Sequence, residues 1–447
     1  MESIKIAYGK TFYKLALYAL LIGLIGGVLS SFTYILPDFL KDWNGLARLR
    51  PFHVSFVLFW IIIGATAGVY VGLTSISTKK PIKIIFQLQI TLWIIALLGV
   101  FYSYIIGDFG GREYWEFNPI WALPIALSWV LFLVQFIHLA KGITTWPVYV
   151  WMWMSGIIFF LFTFLENYLW LFPYFREHFI TDMTIQWKVS GSLVGSFNQL
   201  IYGTAFFMMD KMTGSNQQKV GSSKLAFAMY FLGFGNLMFN WGHHIYTLPT
   251  ESYIRYVGYF VSMTEWIFFV KIIYNWKSSV SDIVKHYHFF AYRFIMASDI
   301  WVFINMGFAC LMSIPAFNIY THGTHFTVAH SMGTTIGINT MILFAGIFMF
   351  LTPKNHRFTK PSVLLRIIFW VIQVSLLILF LSLKISGVLK GFWQMDPNHG
   401  SFAEMMTNLR PYFIVFVCAG ILLMAGFFYL IGTALSYFKI NKMYKNE

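Results

Sequence analysis

The chain has 447 residues, of which 58% are hydrophobic, 20% aromatic and only 11% charged, whereas ordinary soluble domains carry about a quarter charged residues. Those proportions exclude a disordered chain, a nucleic-acid-binding domain and a secreted disulfide scaffold. A net charge of +14 in so apolar a chain points to basic cytoplasmic loops rather than to nucleic acid, and Cys310 and Cys418 lie too far apart in the sequence for a CxxC site.

A transmembrane helix needs about 20 mostly apolar residues. On that rule the sequence predicts twelve spans, over roughly 12–36, 51–74, 83–106, 119–140, 146–168, 186–209, 224–245, 252–275, 291–315, 325–352, 362–388 and 410–437. The polar opening MESIKIAYGKTFYK runs into an apolar stretch too long for a signal-peptide core, so it is expected to lead into the first span. Short polar or Gly/Pro-containing loops separate most spans. The expected fold is all-α, a polytopic membrane helical bundle forming a single integral-membrane domain over 1–447 with its core at about 12–437.

Basic residues recur in alternate loops: Lys5 and Lys10; Lys79, Lys80 and Lys83; Lys211, Lys219 and Lys224; Lys271, Lys277, Lys285 and Arg293; Lys354, Arg357 and Lys360; Lys439, Lys442 and Lys445. The intervening loops hold most of the acids, among them Asp38, Asp108, Glu113, Glu116, Asp182 and Glu251. The positive-inside rule then puts both termini in the cytoplasm, consistent with an even number of spans.

Four histidines occupy unusual places. His53 opens span 2, His243 and His244 close span 7, and His330 lies just inside span 10. With the orientation above, all four fall in the outer part of the membrane. Ionisable groups there are costly and are functional candidates by default, so four at one depth suggest a shared cofactor site; the plainer alternative is interfacial histidines wetted by headgroups. His330 and Met332 are two residues apart, about 200° around a helix. Each could ligate a different haem, with the helix as a wall between them, because imidazole and thioether are both axial ligands of haem. The alternative for Met332 is a packing methionine.

These residues sit in longer motifs: Arg50-Pro51-Phe52-His53-Val54, Gly111-Arg112-Glu113-Tyr114, Trp241-Gly242-His243-His244-Ile245-Tyr246, Ser262-Met263-Thr264-Glu265, Tyr320-Thr321-His322-Gly323-Thr324 and Thr327-Val328-Ala329-His330. On them the chain resembles the catalytic subunit of bacterial nitric oxide reductase, within the haem–copper oxidase superfamily and its cytochrome c oxidase subunit I family, from about residue 45 to 437. The resemblance implies two b-type haems. His53 and Met332 would be axial to the low-spin haem and His330 to the high-spin one. It also implies a non-haem iron held by His243 and His244, with Glu265 as a catalytic carboxylate and possible ligand. Arg112 would meet haem propionates, which suit bidentate donors, and Glu113 would stand near a calcium ion. Nitric oxide as ligand, membrane lipid, and a cytochrome c-type subunit or quinol as electron donor follow as partners, with no nucleic acid. The implied location is the bacterial inner membrane, with the haem site toward its outer face.

Two features depart from that pattern. Where the family has a second low-spin histidine this chain has Met332, which favours ferrous haem and raises its potential. In span 6 the family's third metal histidine and two glutamates align with Gly191, Gly195 and Gln199. Two histidines alone make a poor divalent-metal site. Three readings therefore stay open: a nitric oxide reductase that uses His243, His244 and Glu265; a divergent, dismutase-like NO-processing enzyme; and a haem electron-transfer or sensor subunit without the second metal. The sequence has no CxxCH motif, so electrons are expected from a partner.

Overall fold

The computed structural model describes residues 2–214, 217–262, 266–352 and 362–443. Among them there is no β-strand. The helices in chain order are α1 (Glu2–Phe32), α2 (Gly45–Ile76), α3 (Lys83–Ile106), α4 (Ala122–Ala140), α5 (Val148–Glu166), α6 (Pro173–Arg176), α7 (Phe179–Met212), α8 (Lys224–Phe239), α9 (Ser252–Ser262), α10 (Trp266–Ser279), α11 (Asp282–Tyr287), α12 (Phe289–Ser313), α13 (Pro315–Thr321), α14 (His325–Met332) and α15 (Met341–Leu351). Two long helices follow, α16 (Val363–Met395) and α17 (Phe402–Met443). A 3-10 turn, Asn240–Ile245, continues α8, and a π-helical stretch, Gly333–Thr340, joins α14 to α15.

Among the described residues, nine segments are long and apolar enough to cross a membrane: Ala7–Phe32, Gly45–Ile76, Lys83–Ile106, Pro119–Ala140, Val148–Leu171, Phe289–Ser313, His325–Leu351, Val363–Met395 and Phe402–Lys439. They coincide with nine of the twelve expected spans. The other three fall on α7 to α10, and the reasons are local. Helix α7 runs for 34 residues, but its charge-free stretch 189–209 is diluted by Ser190, Ser192, Ser196, Asn198 and Gln199. Helix α8 is 16 residues long before its 3-10 turn, and α9 and α10 are 11 and 14.

Which helices are central follows from their surfaces. Residues 58–74 of α2 are all buried, as are 341–349 of α15. A helix apolar on every side needs neighbours on every side. On α3, α4 and α16, by contrast, Leu98, Leu123 and Trp370 point outward and are exposed, as suits contact with hydrocarbon. Helix α1 packs along α2, and α17 along α16. Polar side chains inside the bundle pair across helices, since an unpaired one is costly. Trp60 Nε1 donates to Thr340 Oγ1 at 2.9 Å, Tyr70 OH to Gln89 Oε1 at 2.7 Å, and Trp129 Nε1 to the Ile157 carbonyl at 2.9 Å.

Candidate cofactor site

One interior cavity of ≈ 340 Å³ is lined by His53, His243, His244, His330 and Met332 together. Its size lies within the range of cofactor pockets, about 300–1,000 Å³. His330, Ser331, Met332, Thr334, Thr335 and Ile338 all face it. These positions spread over about 200° of a helix, so α14 and its π-helical continuation stand in the chamber as a partition.

His53 enters from α2, two residues after a proline inside that helix, Pro51. Its Nδ1 lies 2.7 Å from the carbonyl of Gly23 on α1. A carbonyl only accepts, so Nδ1 carries the hydrogen and Nε2 keeps its lone pair. A second α1 residue makes room for the ring: a Cβ at Gly27 would lie 2.6 Å from both Cε1 and Nδ1 of His53.

His330 is held by its backbone. Asn305 of α12 donates Nδ2 to the His330 carbonyl at 3.1 Å and to Thr334 Oγ1 at 2.7 Å, at the point where α14 gives way to the π turns. The His330 Nδ1 is buried and unpartnered. Together, His53 with an open Nε2, the half-buried His330 and the Met332 thioether are the donor types that hold haem, and these residues fit that group.

His243 and His244 come from the 3-10 turn after α8, with ring centroids 4.3 Å apart. Asn318 of α13 donates to the His243 carbonyl at 3.4 Å. Trp187 of α7 lies 6.4 Å from His244 and 5.1 Å from His322, ring to ring. His322 sits in the turn between α13 and α14, where burial lowers its pKa and Glu113 pulls it partly back. Gly191, Gly195 and Gln199 all line the chamber. A side chain added at either glycine would first meet a neighbouring side chain. A Cβ at Gly191 would lie 3.1 Å from His244 Cδ2, and one at Gly195 would lie 2.5 Å from Leu237 Cδ1. Among the described residues no three His, Cys, Asp or Glu side chains gather for a metal, and Glu265 lies outside the described residues. The described donors alone therefore do not fit a non-haem metal.

In the loop between α3 and α4, Arg112 and Glu113 each form an ion pair with a different partner. Arg112 reaches Asp182 of α7 at 2.7 Å and lies over the Trp170 ring at 5.0 Å. Glu113 pairs with Arg50 at 2.9 Å, and Arg50 also reaches Glu116 at 3.4 Å. Burial raises the Glu116 carboxyl to about 7, outweighing the neighbouring Arg50. Tyr114 lines the chamber with φ 75, a sparsely populated conformation for a bulky residue, and Ser55 of α2 donates to its carbonyl at 3.1 Å. Sequence reasoning passes over Gly27, Asn305 and Asn318. Each acts through a contact distant in sequence, which no spacing pattern signals.

A helical bundle with an apolar exterior and an inner chamber that gathers imidazoles and a thioether has the make-up of a membrane protein with a candidate cofactor site inside it. The chain belongs to the haem–copper oxidase subunit I family, matching Cytochrome C and Quinol oxidase polypeptide I over residues 7–422. It is 23% identical to a nitric oxide reductase subunit of Stutzerimonas stutzeri, covering 95% of this chain and 92% of that one. It is 22% identical to cytochrome c oxidase subunit 1 of Rhodobacter capsulatus, over 91% and 80% of the two chains. Identity to the Cbb3-type cytochrome c oxidase subunit CcoN1 of Stutzerimonas stutzeri is 20%, over 87% and 85%. Among solved structures, a heme-copper terminal oxidase dimer superposes with a TM-score of 0.74 at 14% identity, over 97% of this chain and 84% of that one. Members of the family are membrane oxidoreductases that bind haems and a second metal.

Proposed function

We propose that this chain is the haem-binding subunit of a nitric oxide reductase-type membrane oxidoreductase. The carrying observation is that His53, Met332, His330, His243 and His244, from three separate parts of the chain, line one chamber. Similarity along nearly the whole length of the Stutzerimonas nitric oxide reductase subunit motivates NO as the gas. In this reading His53 and Met332 hold a low-spin b-type haem and His330 a high-spin one. The haems supply one-electron chemistry and an open position for a diatomic gas. The residues of the chain do the rest: the hydrogen bond to Gly23 keeps His53 Nε2 available, α14 separates the two sites, and His243 and His244 present polar edges to the gas. Two NO, two electrons and two protons give one N2O and one water. The electrons come from a cytochrome c-type subunit or quinol.

A non-haem iron on His243, His244 and Glu265 belongs to the same proposal, but no step is drawn through it. Arg112 is the propionate partner, and a calcium ion at Glu113 would replace Arg50 as its neighbour. The full reading has twelve spans, both termini in the cytoplasm, and the chamber toward the outer face of a bacterial inner membrane.

The lack of a donor side chain at Gly191 and Gly195, which line the chamber, favours a second reading, a haem relay or NO sensor without the second metal. Metal analysis joined to gas mass spectrometry tests both. About three irons per two haems with N2O release supports the reductase, and one iron per haem with NO binding but no turnover supports the relay or sensor. N2 with O2 as products would replace both by a dismutase.

A further inference from the structure

Lys384 lies deep in α16, buried, in a chain where charged side chains inside the membrane are rare and costly. Among the described residues it has no carboxylate partner within ion-pair distance. Its Nζ sits 3.5 Å from the Phe326 ring centroid, 4.6 Å from Phe308 and 5.0 Å from Phe380, a cage of three rings from three helices. Aromatic faces stabilise an ammonium by their quadrupoles, more so when water is excluded. The same Nζ donates to the Phe326 carbonyl at 3.3 Å.

That carbonyl has a particular place. In an α-helix the carbonyl of residue i accepts from the N–H of residue i+4, so the Phe326 oxygen is the acceptor for His330. Phe326 and His330 also share one face of α14. Helix α16 is pressed against this turn along its length. A Cβ at Gly387 would collide with the Phe326 backbone and one at Gly391 with the Tyr320 carbonyl. Lys390 Nζ donates to the Gly323 carbonyl at 3.1 Å. A purely structural role would make Lys384 one more tie between α16 and α14. A neutral polar side chain would serve that role without the cost of a buried charge.

We infer that Lys384 is a positioning residue that sets the electrostatic potential on the His330 side of the chamber and biases a haem held there toward its reduced state. The inference rests on the haem reading of His330. Ferric haem carries one more positive charge than ferrous haem, so a nearby fixed cation disfavours oxidation. A unit charge in the neighbourhood of the haem, at an effective dielectric constant of about 20, shifts the ferric–ferrous equilibrium on the order of tenfold. For one electron that is about 59 mV.

The test is a redox titration of the purified full-length protein, followed at the CO-reactive haem, for wild type, Lys384→Met and Lys384→Arg. Lys384→Gln keeps a donor for the Phe326 carbonyl without the charge, and serves where the methionine variant fails to assemble. Lys384→Met and Lys384→Gln should lower the midpoint by the equivalent of about tenfold, and Lys384→Arg should hold it near wild type. The low-spin haem is the internal control and should move less. A haem-loaded Lys384→Gln or Lys384→Met protein with the wild-type midpoint overturns the inference, as does Lys384→Arg falling as far as Lys384→Met. A wild-type protein with no CO-reactive haem overturns instead the functional reading beneath it.

Discussion

On one side of the chamber, α2 and α14 present His53 and His330 with each group fixed by a specific neighbour: Gly23 and Gly27 of α1 for His53, Asn305 of α12 for His330. On the other side, α7 and the turn after α8 bring up His243 and His244, met by Asn318 of α13 and Trp187 of α7. There the helix facing them offers Gly191 and Gly195, where an added Cβ would press on His244 and on the end of the Leu237 side chain. The contrast is between donors whose surroundings are shaped to them, so that a change must disturb several helices at once, and a facing helix that offers no donor side chain at those two positions.

The comparison breaks most severely at His330. His330→Ala should abolish the CO-reactive haem spectrum while leaving the low-spin bands, read by CO difference spectroscopy. Survival of the CO signal would show that the well-built wall is not the one that binds the gas-binding haem. Gly27→Ala comes next. Its methyl would meet the His53 ring at 2.6 Å, and overpacking of this kind costs about 1–3 kcal/mol. The expected result is partial loss of the low-spin haem in a pyridine haemochrome assay, with the CO-reactive haem retained.

The weaker wall is sharpened by rebuilding it. Gly195→Glu alone should clash with Leu237, whereas Gly195→Glu with Leu237→Ala should accommodate the carboxylate and raise the iron-to-haem ratio on elemental analysis. An unchanged ratio in the double variant would mean that the lost glutamate is not what limits metal at His243 and His244. Met332→His should lower the low-spin midpoint on redox titration, because imidazole favours the ferric state more than thioether does. No shift would remove Met332 from the ligand set.

The smallest effect lies in the loop between α3 and α4. Glu116 has its carboxyl raised to about 7 by burial, above its usual range, so the fold favours the protonated form. That contribution is fully present below about pH 4.5 and is lost as pH rises through about 7. Glu116→Gln should therefore flatten the fall in thermal stability between pH 5 and pH 8. The effect is at most about 3 kcal/mol, reduced by the group's partial exposure. An equally steep profile in the variant would assign the pH dependence elsewhere.

Much of the architecture was legible because apolar runs of span length are local. The run 83–106 predicts a span, and Lys83–Ile106 is a helix. The four histidines stand out for a related reason, as ionisable groups in an apolar background. What stayed illegible was partner choice. Arg112 and Glu113 are adjacent in sequence and read as neighbours of one cofactor region, yet one reaches Asp182 and the other Arg50, because tertiary placement decides which opposite charge is in range. The polar α7 reads as a span from its length, and no sequence pattern indicates that Leu237 fills the space beside Gly195.

The π-helical stretch Gly333–Thr340 bears on how this protein tolerates change. His330 and the core residues of α15 belong to one unbroken helical segment, His325–Leu351. In a uniform α-helix the azimuth of Phe344 would be dictated by that of His330, at about 100° per residue. The wider π turns insert an offset between them. The upstream end is thus phased to the chamber, and the downstream end to Phe294 and Phe427, which stack on Phe344 at 5.9 and 5.7 Å. A single-residue deletion within 333–340 would restore one phase only by rotating the other away by about 100°. The segment works as a coupling with built-in slip, whose length, more than its side chains, is the quantity under constraint.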